Sequence, residues 1–149
     1  AYAAVRELLE ETGHALAERH YGLPPREPLD EPAWTAWRGE LRPSIEPLTF
    51  IARAITPPGR TRRYDTRFFI APREHAMENA AAADGEFADI NWFTIADAQA
   101  LDLPIITRRI LTDLEEMLKG QENRAGVPFY YEHAGTYRRD VIARSAAPA

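Results

Sequence analysis

Three glutamates, Glu7, Glu10 and Glu11, are the residues of this 149-residue chain whose types and spacing could do chemistry. On a helix, at about 100° per residue, their carboxylates fall within an arc of roughly 100°. Ala1, Val5, Leu8 and Leu9 cluster on the opposite side, so one face can pack on a core while the other presents carboxylates to a single point. Like charges three or four residues apart repel by about 0.2–0.5 kcal/mol per pair unless a cation sits among them. Hard oxygen donors suit Mg²⁺, which takes few carboxylates and completes its shell with waters or phosphate oxygens. Arg6 stands four residues before Glu10 and can hold that carboxylate in place. Gly13 suits the left-handed residue that closes a helix. Glutamates alone would fit a merely solvated face.

The whole segment, Arg6-Glu7-Leu8-Leu9-Glu10-Glu11-Thr12-Gly13, resembles the second half of the signature of Nudix hydrolases. That resemblance implies an enzyme dependent on Mg²⁺, with Mn²⁺ as the alternative ion, that splits diphosphates linked to another group. It implies an α/β fold, an α/β/α sandwich around a mixed sheet. Glu7, Glu10 and Glu11 would be the metal ligands and Arg6 would orient Glu10. The proton acceptor would be Glu7, Glu10 or a distal glutamate, Glu86, and the sequence does not decide among them. The family pattern also has a glycine and an acidic residue further upstream, which would fall before residue 1. The chain is therefore read as the C-terminal part of a single domain over 1–149, with the first strands expected before it.

A second stretch, Thr56-Pro57-Pro58 through Arg63-Tyr64-Asp65-Thr66-Arg67-Phe68-Phe69, is similar to a segment of a Nudix subgroup that includes peroxisomal and mitochondrial coenzyme A diphosphatases. It implies a CoA or acyl-CoA substrate, cleaved to 3′-phospho-ADP and a phosphopantetheine product. Arg60, Arg62, Arg63 and Arg67 crowd this stretch. Arginine forks match phosphate oxygens bidentately, so these four are candidate substrate contacts. The alternative for them is a solvated hairpin tip. Other substrates open to the same chemistry are ADP-ribose, NADH and dinucleoside polyphosphates. A Nudix-fold module that senses a nucleotide without cleaving it is a further alternative, though all three visible glutamates are intact. Dimers are frequent among similar proteins.

Composition narrows the class. The chain is 45% hydrophobic and 28% charged, an ordinary balance for a globular domain. A net charge of −5 argues against a general nucleic-acid binder. There is no Cys, which excludes disulfides and thiolate chemistry. No transmembrane run or secretory signal is visible, so a cytoplasmic protein acting on a small nucleotide is expected.

The elements that must position these residues can be placed. A first helix is expected over 2–12, extending weakly to His20. Residues 22–47 hold Trp34, Trp37 and six prolines, and read as an insertion with a short helix near 31–39. Its tryptophans would pack it onto the body or stack on a base or acyl group. Strands are expected over 48–56 and 64–71, joined through Pro57-Pro58-Gly59. After an irregular 76–85, a strand over 86–93 would carry Glu86, with Trp92 and Phe93 in the core. Thr94 reads as the N-cap of a helix over 95–100, with Asp97 at the capping position. Ile106, Ile110, Leu114 and Met117 set a helical period that Gly120 ends. Strands over 127–131 and 136–142 would form a terminal hairpin.

Overall fold

The computed structural model describes residues 1–19, 21, 41–78, 90–120 and 126–143. It is a mixed α/β protein whose described residues fall into two compact units, 1–49 with 69–91 and 50–68 with 92–149.

The first unit is built on helix α1 (Tyr2–Thr12). Ala, Leu and Glu make up most of it, all strong helix formers. Val5 and Leu9 are fully buried on its inner side, each worth about 1.5–3 kcal/mol against exposure. They pack on Ala15, Leu16 and Ala17 of strand β1 (His14–Arg19), with Leu8, Leu41, Leu48, Ala71, Ala76 and Met77 around the edge. Gly13 takes φ 70° and donates its N–H to the Leu9 carbonyl at 2.9 Å, which stops the helix and turns the chain into β1. Residues 14–19 are thus a strand, not the helical extension expected from their Ala, Leu and Glu content. Two antiparallel partners on either side decide it. These are β2 (Leu41–Pro43), paired as Glu18 with Arg42, and β5 (Ala76–Glu78), paired as Ala15 with Met77. Both partners correct the sequence expectation, which put 41–43 inside an insertion and 76–78 in an irregular stretch. The rest of the insertion, with Trp34, Trp37 and its expected helix, lies outside the described residues.

The second unit is a four-stranded sheet in the order β4 (Asp65–Ile70), β3 (Thr49–Ile55), β6 (Val127–His133), β7 (Thr136–Ile142). Strands β3 (Thr49–Ile55) and β4 (Asp65–Ile70) fall where Phe, Ile and Thr content placed them. The terminal hairpin is β6 (Val127–His133) and β7 (Thr136–Ile142), antiparallel throughout. Its two turn residues, Ala134 and Gly135, have φ 50° and 75°, the positive pair a tight hairpin turn demands. β3 and β6 run parallel, pairing Arg53 with Phe129, so the sheet is mixed. Between them the chain carries α2 (Ile95–Ala100) and α3 (Ile105–Leu118). Thr94 caps α2 as expected, accepting from the Asp97 N–H at 3.1 Å and donating to its carboxylate at 2.7 Å. Ile106 and Ile110 of α3 pack on Ala52, Ala54, Tyr130, Ile51 and Phe68. Residues 90–93 correct another expectation: they form no strand, and Trp92 and Phe93 are 68% and 53% exposed, not core.

One buried polar group ties α3 to the hairpin. The Tyr130 hydroxyl donates to Asp113 and accepts from Arg139 Nε at 3.2 Å, and Arg139 also reaches Asp113 at 3.2 Å. Burial, then the hydrogen bond to Asp113, pushes the Tyr130 hydroxyl up to about 12 from 10.0. A proton held more tightly in the fold than in the unfolded chain stabilises fully below pH 10 and is lost as pH rises through 12. Alkaline titration should therefore remove about 1–3 kcal/mol across that window. Tyr130→Phe should flatten the alkaline slope measured by denaturant unfolding. An unchanged slope in the variant would contradict the assignment.

Candidate functional site

Helix α1 buries one side and leaves its glutamates on the other. Glu7 and Glu11 are exposed and Glu10 is half-buried. Arg6 donates to Glu10 Oε2 at 2.7 Å, as the spacing predicts, and also lies 3.6 Å from Glu7. The exit of the helix is fixed as firmly. Thr12 Oγ1 donates to the Leu8 carbonyl at 2.6 Å and accepts from the His14 N–H at 3.2 Å. His14 Nδ1 lies 3.0 Å from the Thr12 carbonyl oxygen. These contacts at Thr12 and His14 have no signal in the sequence beyond a hydroxyl just before the terminal Gly.

The donor chemistry of the three glutamates, hard carboxylate oxygens on one accessible helix face, fits Mg²⁺ or Mn²⁺. Among the described residues no three Asp, Glu or His groups stand close enough to hold a metal ion. Glu86 lies outside the described residues.

The candidate substrate arginines belong to the second unit. Arg60, Arg62, Arg63 and Arg67 are all exposed. Arg63 Nε donates to the Thr56 carbonyl at 3.2 Å, across the base of the loop between β3 and β4. Asp65 is gripped by two nitrogens of Arg53, Nε at 2.7 Å and Nη2 at 2.6 Å. The hydrogen bond from Arg53 holds the Asp65 carboxyl below the usual carboxylate range and raises Arg53 in turn. Arg53 also lies 4.8 Å over the Phe129 ring, which stacks on Tyr131 at 4.9 Å. Arg53 is a residue that sequence reasoning passed over. Its place opposite Asp65 follows from the pairing of neighbouring strands, which spacing along one strand does not reveal.

No helix among the described residues is long and apolar enough to cross a membrane. No family model, curated protein or solved structure matches the chain.

Proposed function

We propose that this chain is a Nudix-type hydrolase that splits nucleoside-diphosphate-linked compounds with the help of Mg²⁺, CoA or an acyl-CoA being the leading substrate. The observation that carries the proposal is α1 itself. Its Val5 and Leu9 are buried, its Glu7, Glu10 and Glu11 face outward, Arg6 is bonded to Glu10 at 2.7 Å, and a left-handed Gly13 ends it. The mixed four-stranded sheet and the helices are consistent with an α/β fold, the coarser part of what this resemblance implies. Bound Mg²⁺ would neutralise charge developing on the diphosphate and acidify the attacking water. Glu7, Glu10 and Glu11 would supply its protein oxygens, with Arg6 orienting Glu10. Glu7, Glu10 or Glu86 would take the proton from water. Arg60, Arg62, Arg63 and Arg67 would contact outlying phosphate.

The alternative with the same fold is a module that binds a nucleotide without cleaving it, although all three glutamates of α1 are intact. Both readings differ from a helix that is acidic only for solubility. A ligand that binds the fold and not the unfolded chain raises its stability with concentration. Millimolar Mg²⁺ should raise the melting temperature by a few degrees, and replacing all three glutamates by glutamine should remove the effect. An identical melting curve with Mg²⁺ and with chelator would discard the metal site. Turnover then separates hydrolase from sensor.

A further inference from the structure

We infer that two copies of this chain associate through β7, pairing antiparallel about a two-fold axis at Arg139. The association goes beyond the hydrolase proposal and does not depend on it.

β7 ends the sheet order β4-β3-β6-β7, so among the described residues its outer edge has no partner strand. Six of its seven residues are exposed. The two-residue turn makes His133 and Thr136 the closing hydrogen-bonded pair of the hairpin. Hydrogen-bonded and open pairs then alternate along the ladder. The N–H and C=O groups of Tyr137, Arg139 and Val141 therefore point away from β6, along the outer edge. A row of this kind is a template for a further strand.

The side chains select which strand. With the axis at Arg139, Tyr137 stands opposite Val141 of the second copy, and Arg138 opposite its Asp140. Two-fold symmetry makes each contact occur twice. Tyr137 and Val141 are 47% and 39% exposed, an aromatic and a β-branched residue of the kind that pairs well across strands. Arg109 of α3 lies 5.7 Å over the Tyr137 ring and holds it without covering it. Arg138 is exposed and makes no hydrogen bond or ion pair among the described residues. Asp140 accepts from the Tyr131 hydroxyl at 2.6 Å through one oxygen and has a second to offer. Arg139 would face Arg139 of the second copy, but each guanidinium is already engaged by its own Asp113 and Tyr130, both at 3.2 Å.

Moving the axis one residue either way sets Arg138 against Arg138, or Asp140 against Asp140. Like charges directly opposite destabilise a pair. Charges on an edge strand generally keep foreign strands away. Here Arg138 and Asp140 flank the midpoint with opposite sign, a pattern that admits a second copy in one register. A single strand pair buries less than a standard interface, so dissociation on the order of 10 µM is expected.

The test is sedimentation velocity of the protein across about 2–200 µM. The wild-type chain should pass from monomer to dimer over that range. Arg138→Asp and Asp140→Arg each set like charges opposite one another twice. Each variant alone should stay monomeric, with an unchanged circular dichroism spectrum. Mixed in equal amounts, the two should form a heterodimer, because every contact between positions 138 and 140 then joins opposite charges. Association lost through misfolding, or through contacts within one chain, would not return on mixing. Tyr137→Thr leaves both charges in place and should weaken the dimer roughly tenfold. It carries the test should either charge reversal fail to fold, and unchanged association would then overturn the pairing. So would a wild-type chain still monomeric at about 200 µM, or one that assembles beyond the dimer. A dimer indifferent to both charge reversals, or folded variants that remain monomeric when mixed, would overturn it equally.

Discussion

Glu10→Gln is expected to reduce turnover by on the order of 10²-fold or more while leaving the fold intact. Glutamine keeps the shape and one acceptor oxygen, so the hydrogen bond from Arg6 at 2.7 Å can persist in weakened form. The negative charge is what disappears, and charge is what a hard divalent ion needs from this position. The stability cost is small by comparison. Arg6 and Glu10 side chains are 31% and 39% exposed, and a partly exposed pair at this spacing contributes only about 0.3–0.5 kcal/mol. The two effects are therefore separable by steady-state kinetics and a melting curve on the same sample. A variant that keeps near wild-type turnover would remove Glu10 from the metal site. One that loses activity only because it unfolds would leave the role of the carboxylate unsupported, and Glu7→Gln and Glu11→Gln, at exposed positions, would then decide it.

Gly126→Ala is expected to be the most damaging conservative change in the described sheet. Gly126 has φ 152° and precedes β6, where Val127 pairs with Ile142 of β7. A Cβ on it would lie 2.0 Å from the Ile142 carbonyl oxygen, 2.8 Å from the carbon and 2.9 Å from Val141 Cγ1. Two of these atoms are backbone of the partner strand, so relief requires opening the end of the hairpin. A cost of about 3 kcal/mol or more follows, roughly 6–12 °C in Tm for a chain of this size. Gly120→Ala is the matched control: its φ of 72° is unfavourable, but nothing lies within 4 Å of the added carbon. That change should cost about 1 kcal/mol. Similar losses in the two variants would mean that backbone conformation matters at Gly126 and the close approach does not.

What could be read in the sequence was what local chemistry fixes. Thr94 capping Asp97, Gly13 ending α1, the 3.6-residue period of α3 and the β6–β7 hairpin all follow from neighbours a few residues apart. The elements that escaped depend on distant partners. His14–Arg19 carries helix-forming residues, yet pairing with β2 and β5 and burial of Ala15 and Leu16 against α1 make it a strand. β2 and β5 are three residues each, too short to show an alternation. Trp92 and Phe93 read as core in the sequence, but exposed apolar residues are common and composition does not place them. The candidate site divides the same way. The Arg6–Glu10 pair was legible because it lies within one helix, whereas Arg53 gripping Asp65 joins two strands. That Glu7, Glu10 and Glu11 share the outer side of α1 followed from helical angle.

The most direct test of the hydrolase proposal is mass-spectrometric product analysis. The protein would be incubated with Mg²⁺ and a mixture of CoA, acetyl-CoA, ADP-ribose and NADH, beside a sample in chelator. The account predicts 3′-phospho-ADP and the matching phosphopantetheine product in the Mg²⁺ sample alone. Products from ADP-ribose or NADH only would keep the reaction and replace the substrate. All four compounds recovered intact, from protein whose melting temperature does respond to Mg²⁺, would contradict hydrolysis of these diphosphates and favour a nucleotide-binding module.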